Sequence, residues 1–246
     1  APVTFRAAVT PAFLGVGAPT GTVTFTEGGA LLAEVPLDAA GRADLTTAAL
    51  SPGLHLVEAS YAGDGAFLDG ASLPAAVTVG AASISLGLAV SPNPSVAGEH
   101  VGWTVQAVAA APSLAVPAGA VEVSDGGTVL ETLTLDGSGR AAGGSAALAV
   151  GPHALRARFL DDARFTATNV PSTVQQVLRA ATGVALSAAP SPSVFGAPVT
   201  FTARVAPQAP GAGTPTGTVT FSEGGLALGT AALDAAGEAR FTPAGL

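Results

Sequence analysis

Ala197-Pro198-Val199-Thr200-Phe201 repeats Ala1-Pro2-Val3-Thr4-Phe5 letter for letter, 196 positions further along the chain. Half of that offset brings the same landmarks into line a second time. Gly21, Gly119 and Gly217 fall in register, and so do Gly28-Gly29, Gly126-Gly127 and Gly224-Gly225. Leu37-Asp38, Leu135-Asp136 and Leu233-Asp234 follow, and then Gly41, Gly139 and Gly237. The pairs His55/His153, Phe67/Phe165 and Pro94/Pro192 keep the same spacing without an insertion or deletion. The period is therefore 98 residues, and a chain of 246 holds about two and a half units. A repeat of this kind governs how every motif inside it is read.

Long alternating segments begin near Ser83 and Ala181, after the spacers Gly80-Ala81-Ala82 and Arg179-Ala180. These spacers divide the chain into module 1 over 1–82, lacking its first strand, a complete module 2 over 83–180, and module 3 over 181–246, lacking its C-terminal strands. The phase predicts a window on a longer tandem array. Residues 1–50 match 197–246 at 30 of 50 positions, whereas 1–82 match 99–180 at only 23 of 82. The array is accordingly expected to continue with a super-repeat of roughly 196 residues. Two divergent neighbours exchange strands less readily than two identical ones.

Period-two patterns set the local structure. Ile84, Leu86, Leu88 and Val90 alternate with Ser85, Gly87 and Ala89; Val3, Phe5, Ala7 and Val9 alternate with Thr4, Arg6 and Ala8. Val57, Ala59 and Tyr61, and in the next copy Leu155, Ala157 and Phe159, do the same. Apolar residues at every second position give a strand with one buried face. Gly-Gly, Asp-Ala-Ala-Gly and Ser-Pro-Gly stretches between the runs are turn signals. The high Ala content would suit helices, but Pro and Gly interrupt every stretch with a 3.6-residue apolar period. About seven strands per 98 residues predict an all-β, antiparallel two-sheet sandwich in each module. Val101, Trp103, Val121, Leu135, Leu155, Ala157 and Phe159 are the expected core of 83–180.

Composition narrows the function classes. The chain has no Cys, so disulfides, thiolate metal sites and Cys nucleophiles are excluded. All nine cationic side chains are Arg, against seventeen carboxylates, for a net charge of −8. A nucleic-acid surface needs clustered cations, so no nucleic-acid partner is expected. Hydrophobic content of 48% is enough to build cores. No apolar run reaches the ~18 residues of a membrane span, so no membrane insertion of this segment is expected.

The ordered series Pro192-Ser-Val-Phe-Gly-Ala-Pro-Val-Thr-Phe-Thr-Ala203, Gly213-Thr-Pro-Thr-Gly-Thr-Val-Thr-Phe221, Glu223-Gly-Gly225 and Leu233-Asp-Ala-Ala-Gly237 resembles the bacterial Ig-like repeat, group 3 type, of large exported and surface proteins. Gly53-x-His55 and Tyr61-x-Gly63-Asp64-x-x-Phe67 complete the pattern. The middle copy departs from it with Trp103 for Phe, Phe159 for Tyr and Asp161-Asp162 for Gly-Asp, changes that keep bulk and loop polarity. The resemblance implies an Ig-like fold, an exported bacterial protein located extracellularly or at the cell surface, and a role as spacer, stalk or adhesin shaft.

Few residues suggest chemistry. His55 and His153 share one repeat position, and the reading that suits one His per module is a hydrogen bond to a nearby turn, since zinc needs three or four converging ligands. His100 has no counterpart and reads as a solvated loop residue. Asp64 and Asp162 are weak metal candidates, with Asp161 and Asp69 close by; calcium wants six to eight oxygens, and an Asp that bonds its own turn is the simpler reading. Glu27, Asp125 and Glu223 precede Gly-Gly and are expected to be exposed turn charges. Trp103, standing where Phe5 and Phe201 stand, is expected in the core. Gly15-x-Gly17 with Gly21 precedes a strand, which is wrong for a nucleotide loop. No Gly-x-Ser-x-Gly elbow or recurrent acid pair occurs, so neither catalytic residues nor cofactors are expected, and the chain is not expected to be an enzyme.

Two functions follow. One is a structural array of modules joined by spacers of about three residues, which restrict rotation far more than a long tether. A strand of about 8 residues spans ~27 Å, so the array would be a stiff rod, stalk or filament used in surface attachment. Its partners would be neighbouring modules of the same or an identical chain. The alternative is an adhesin or carbohydrate-binding array, in which sandwich-end loops touch surface proteins or glycans. The loop at 11–20 and its copy at 109–118 differ most, and Phe13, Leu14 and Leu114 are expected near the surface.

Overall fold

The computed structural model describes residues 2–12, 17–160 and 162–243. They are all-β, with no helix among them. The first unit contains β1 (Val3–Ala8), β2 (Thr22–Glu27), β3 (Ala30–Pro36), β4 (Arg42–Thr47), β5 (Gly53–Tyr61), β6 (Gly70–Ala71) and β7 (Ala75–Val79). The middle unit contains β8 (Ala82–Ser91), β9 (Ser95–Val96), β10 (Val101–Ala109), β11 (Ala120–Asp125), β12 (Thr128–Thr134), β13 (Arg140–Ser145), β14 (Gly151–Leu160), β15 (Phe165–Ala167) and β16 (Ser172–Leu178). The last unit contains β17 (Thr182–Ala189), β18 (Thr200–Pro207), β19 (Thr218–Glu223), β20 (Leu226–Ala232) and β21 (Glu238–Phe241).

The middle unit is a sandwich of two sheets, β13-β10-β8-β15 and β12-β11-β14-β16-β9. Its pairings are antiparallel apart from two short edge contacts, β15 with β8 and β16 with β9, which are parallel. The second arises because the chain leaves one sheet after Ser91 and joins the other at Ser95, alongside β16; the first arises because the chain, after β14 in that other sheet, returns at Phe165 alongside β8. The seven residues expected in the core are all buried, with Val121, Leu155 and Ala157 at 0% exposure. Alternation explains this: inward positions of β10, β11 and β14 interdigitate between the sheets while Thr, Arg and Gln stand outside.

The outer units share this plan with fewer strands. In the first, among the described residues, β1 pairs with β4 alone, whereas its counterpart β10 pairs with both β13 and β8. In the last, among the described residues, β19 pairs with β20 alone, whereas its counterpart β11 also pairs with β14.

One turn accounts for the Leu-Asp…Gly landmark in all three copies. Asp38 Oδ1 accepts the amides of Ala40 (2.8 Å) and Arg42 (2.9 Å), and Asp136 and Asp234 repeat the pattern two and four residues on. Gly41 has φ +70°, and a Cβ there would strike the carbonyl of Val9. Only Gly meets both demands.

Core composition differs between units in a compensated way. Trp103 stands opposite Gly143, Phe5 opposite Leu45 and Phe201 opposite Phe241. On the facing sheet the corresponding residues are Glu131, Ala33 and Gly229. Indole Nε1 of Trp103 donates to Glu131 Oε2 (3.2 Å), and a Cβ at Gly143 would collide with that carboxylate. A Cβ at Gly229 would collide with the Phe241 ring. Where one position is large, another in its set is small, as close packing requires.

Candidate functional site

The strongest polar constellations lie at the two ends of the first and middle sandwiches. At one end, Asp64 of the first unit closes a loop. Its Oδ2 accepts the amide (2.9 Å) and hydroxyl (2.8 Å) of Thr20, and its Oδ1 accepts the amides of Ala66 and Phe67 (2.8 Å each). These donors, the Ala66 amide foremost, hold the carboxyl well below the usual carboxylate range. The hydroxyl of Tyr61 donates to Thr20 O at 2.7 Å, tying the same loop to β5.

Asp162 occupies the equivalent place in the middle unit but binds less. Its Oδ1 accepts the amides of Arg164 and Phe165 at 2.7 Å each. Ala118 and Phe159 replace Thr20 and Tyr61 there, so the tie to the neighbouring loop is lost along with both hydroxyls. Asp69 is exposed, and Asp161 lies outside the described residues. Among the described residues no group of three or more His, Asp or Glu side chains could hold a metal ion.

At the other end sit the two repeated imidazoles. His55 Nδ1 lies 2.8 Å from Glu27 Oε1 and Nε2 lies 2.7 Å from Ser51 O. His153 copies this arrangement with Asp125 Oδ2 at 2.6 Å and Ala149 O at 2.7 Å. The turn contact agrees with the sequence reading. The carboxylates correct it: Glu27 and Asp125 are half-buried partners of His, not free turn charges. The missed signal was in the sequence, since Glu27/His55 and Asp125/His153 are both 28 apart, with an acid preceding Gly-Gly each time. Glu223, the third copy of that acid, is exposed.

The remaining candidates separate clearly. His100 is exposed, and Trp103 is buried in the middle core. Leu114 is 94% exposed; Phe13, Leu14 and Gly15 lie outside the described residues. Among the described residues no helix is long and apolar enough to cross a membrane.

The last and middle units touch through backbone. The amide of Ala212 donates to the carbonyl of Ala97 at 3.1 Å. A Cβ on Gly98 would collide with the Ala212 backbone, and one on Gly211 would lie 2.5 Å from Ala180 Cβ. Two glycines thus permit the close approach.

A family model described as "Bacterial Ig-like domain (group 3)" matches 1–80, 88–178 and 186–246. Solved structures similar to the chain include FdeC, an adhesin of Escherichia coli, at 16% identity and TM-score 0.37, covering 98% of this chain and 82% of that one. The fibronectin(III)-like modules of Clostridium thermocellum CbhA give 18% identity and TM-score 0.34, covering 72% and 86%. The D0-D1 domain of intimin gives 22% identity and TM-score 0.28, covering 72% and 90%. Likeness at this level carries no functional argument. Comparison with curated proteins finds no match.

Proposed function

We propose that this chain, which belongs to the group 3 bacterial Ig-like domain family, is a non-catalytic spacer of tandem Ig-like sandwiches, an extracellular stalk or shaft at a bacterial surface. Module boundaries at 82/83 and 180/181 fit this role. The observation that carries it is the junction between the middle and last units. Ala212 and Ala97 are hydrogen-bonded across it, and Gly98 and Gly211 let the two backbones meet. A junction held by backbone contacts and a linker of a few residues transmits orientation from one unit to the next, which a flexible tether does not. Asp64 and Asp162 then serve as loop closures: both oxygens of Asp64 and Oδ1 of Asp162 accept hydrogen bonds from the protein, and Asp162 Oδ2 faces the Arg164 guanidinium at 3.5 Å.

The absence of Cys makes the test clean. Spin labels on Cys introduced at the exposed Thr132 and Thr230 measure the separation across the junction by pulsed EPR. A stiff spacer gives one narrow distance distribution; a broad one overturns the reading. Protease shaving of intact cells tests surface location, and an unchanged melting temperature in EDTA tests the loop-closing role of the two aspartates.

A second reading is an adhesin or glycan-binding array working through the sandwich-end loops. Leu114 favours it, exposed at 94% beside the exposed Val116. Unchanged attachment to cells or glycans after Leu114→Ser would remove it.

A further inference from the structure

His55 and His153 each face an acceptor at both ring nitrogens, a carboxylate at Nδ1 and a backbone carbonyl at Nε2, all within 2.6–2.8 Å. A neutral imidazole has one N–H and would turn a lone pair toward one of these oxygens. Only the imidazolium donates to both. Each ring thereby joins three pieces of chain. His55 on β5 is fastened to the β2–β3 turn through Glu27 and to the loop before β5 through Ser51. His153 on β14 is fastened to the β11–β12 turn through Asp125 and to the preceding loop through Ala149.

This end of the sandwich leads to the junction. Gly151 pairs with Val177, Val177 with Ser95, and the Ala97 amide donates to Leu178 O. Directly opposite His153, buried Gln175 donates through Nε2 to Ser95 Oγ (2.9 Å) and Pro92 O (3.0 Å). Ala97 is the residue whose carbonyl accepts the Ala212 amide.

We propose that His55 and His153 are proton-held clamps, closed as imidazolium, that fasten the turn and loop at one end of the first and middle sandwiches and release them as pH rises. In the middle unit that end is the one meeting the last unit. The inference goes beyond the spacer role and does not depend on it. Among the described residues, the charged group facing each ring is its own carboxylate, Glu27 or Asp125; Val77 on β7 and Gln175 on β16 stand opposite the rings and do not titrate. The Ser51 carbonyl and then Glu27 raise the His55 pKa above its ordinary 6.5 against the opposing effect of burial. The Ala149 carbonyl and Asp125 do so for His153. A raised folded value means the clamp's stabilisation is complete below 6.5 and is lost as pH rises through the folded value.

The test uses the full chain. Ring ¹⁵N shifts are followed from pH 5 to 9, and Trp103 fluorescence, from the only Trp, reports melting of the middle unit. The expected result is two rings protonated at both nitrogens at pH 6, with midpoints above 6.5, and a middle-unit Tm that falls through the His153 midpoint. His153→Gln should abolish that fall, whereas His55→Gln, in another unit, should leave it intact. Asp125→Asn, the milder variant, should lower the His153 midpoint and shrink the fall. A single-N–H tautomer at pH 6, a midpoint at or below 6.5, or an undiminished fall in His153→Gln overturns the proposal.

Discussion

β8 and β17 are the same strand in successive copies, and they meet different surroundings. Leu86 on β8 is 5% exposed, whereas its counterpart Val184 on β17 is 64% exposed. Both alternate correctly and both pair antiparallel with the next long strand, β10 or β18. The difference is the opposite sheet. β8 packs against β14 and β16, while no strand of the last unit takes that place among the described residues. An alternating pattern states which face of a strand is apolar; a second layer is needed to bury it.

The largest effect should come from testing that difference directly. Leu86→Ala removes buried atoms and should cost about 2–5 kcal/mol, read as a lower urea midpoint of Trp103 fluorescence. Val184→Ala at the matching position should stay within about 0.5 kcal/mol, read by hydrogen exchange of β17 and β18. Equal costs would mean that β17 is covered in solution.

A smaller effect should sharpen the comparison between the compensated cores. Gly143→Leu places bulk against Glu131 and the indole and should cost about 1–3 kcal/mol. Adding Trp103→Phe and Glu131→Ala recreates the Phe5, Ala33, Leu45 set of the first unit and should recover most of that loss in urea denaturation. Additive costs would show that the three positions are not coupled.

Acid should act on all units alike. Donors hold Asp64, Asp136 and Asp234 below the ordinary Asp value of 3.8; for Asp136 the Ser138 hydroxyl is the main cause, and for Asp234 the Glu238 amide. Their stabilisation is complete above that value and is lost as pH falls through the folded ones. Far-UV circular dichroism and Trp103 fluorescence should therefore report a falling Tm together below about pH 3.8. The smallest effect belongs to the first unit: Arg6 and Asp44 form an ion pair at 2.7 Å, but both side chains are well exposed. Arg6→Gln should leave the thermal midpoint unchanged within error, because exposed pairs are screened.

The sequence by itself determined the repeat, the all-β class and the inward face of each strand, because a period of 98 and a period of two are both written in residue order. Val121, Leu155 and Phe159 could be assigned to the core on that basis alone. The Asp-Gly turns were equally legible, since their hydrogen bonds span only two to four residues. Tertiary structure decided what depends on distant segments meeting. It paired Glu27 with His55 and Asp125 with His153, tied Thr20 to Asp64 across 44 residues, and brought Ala97 to Ala212. It also decided that Leu86 is covered and Val184 is not. These outcomes rest on hydrogen bonds of about 3 Å and on contact between layers, which act through space and which strand alternation does not encode; the repeated 28-residue spacing of acid and His marks those residues but not their contact.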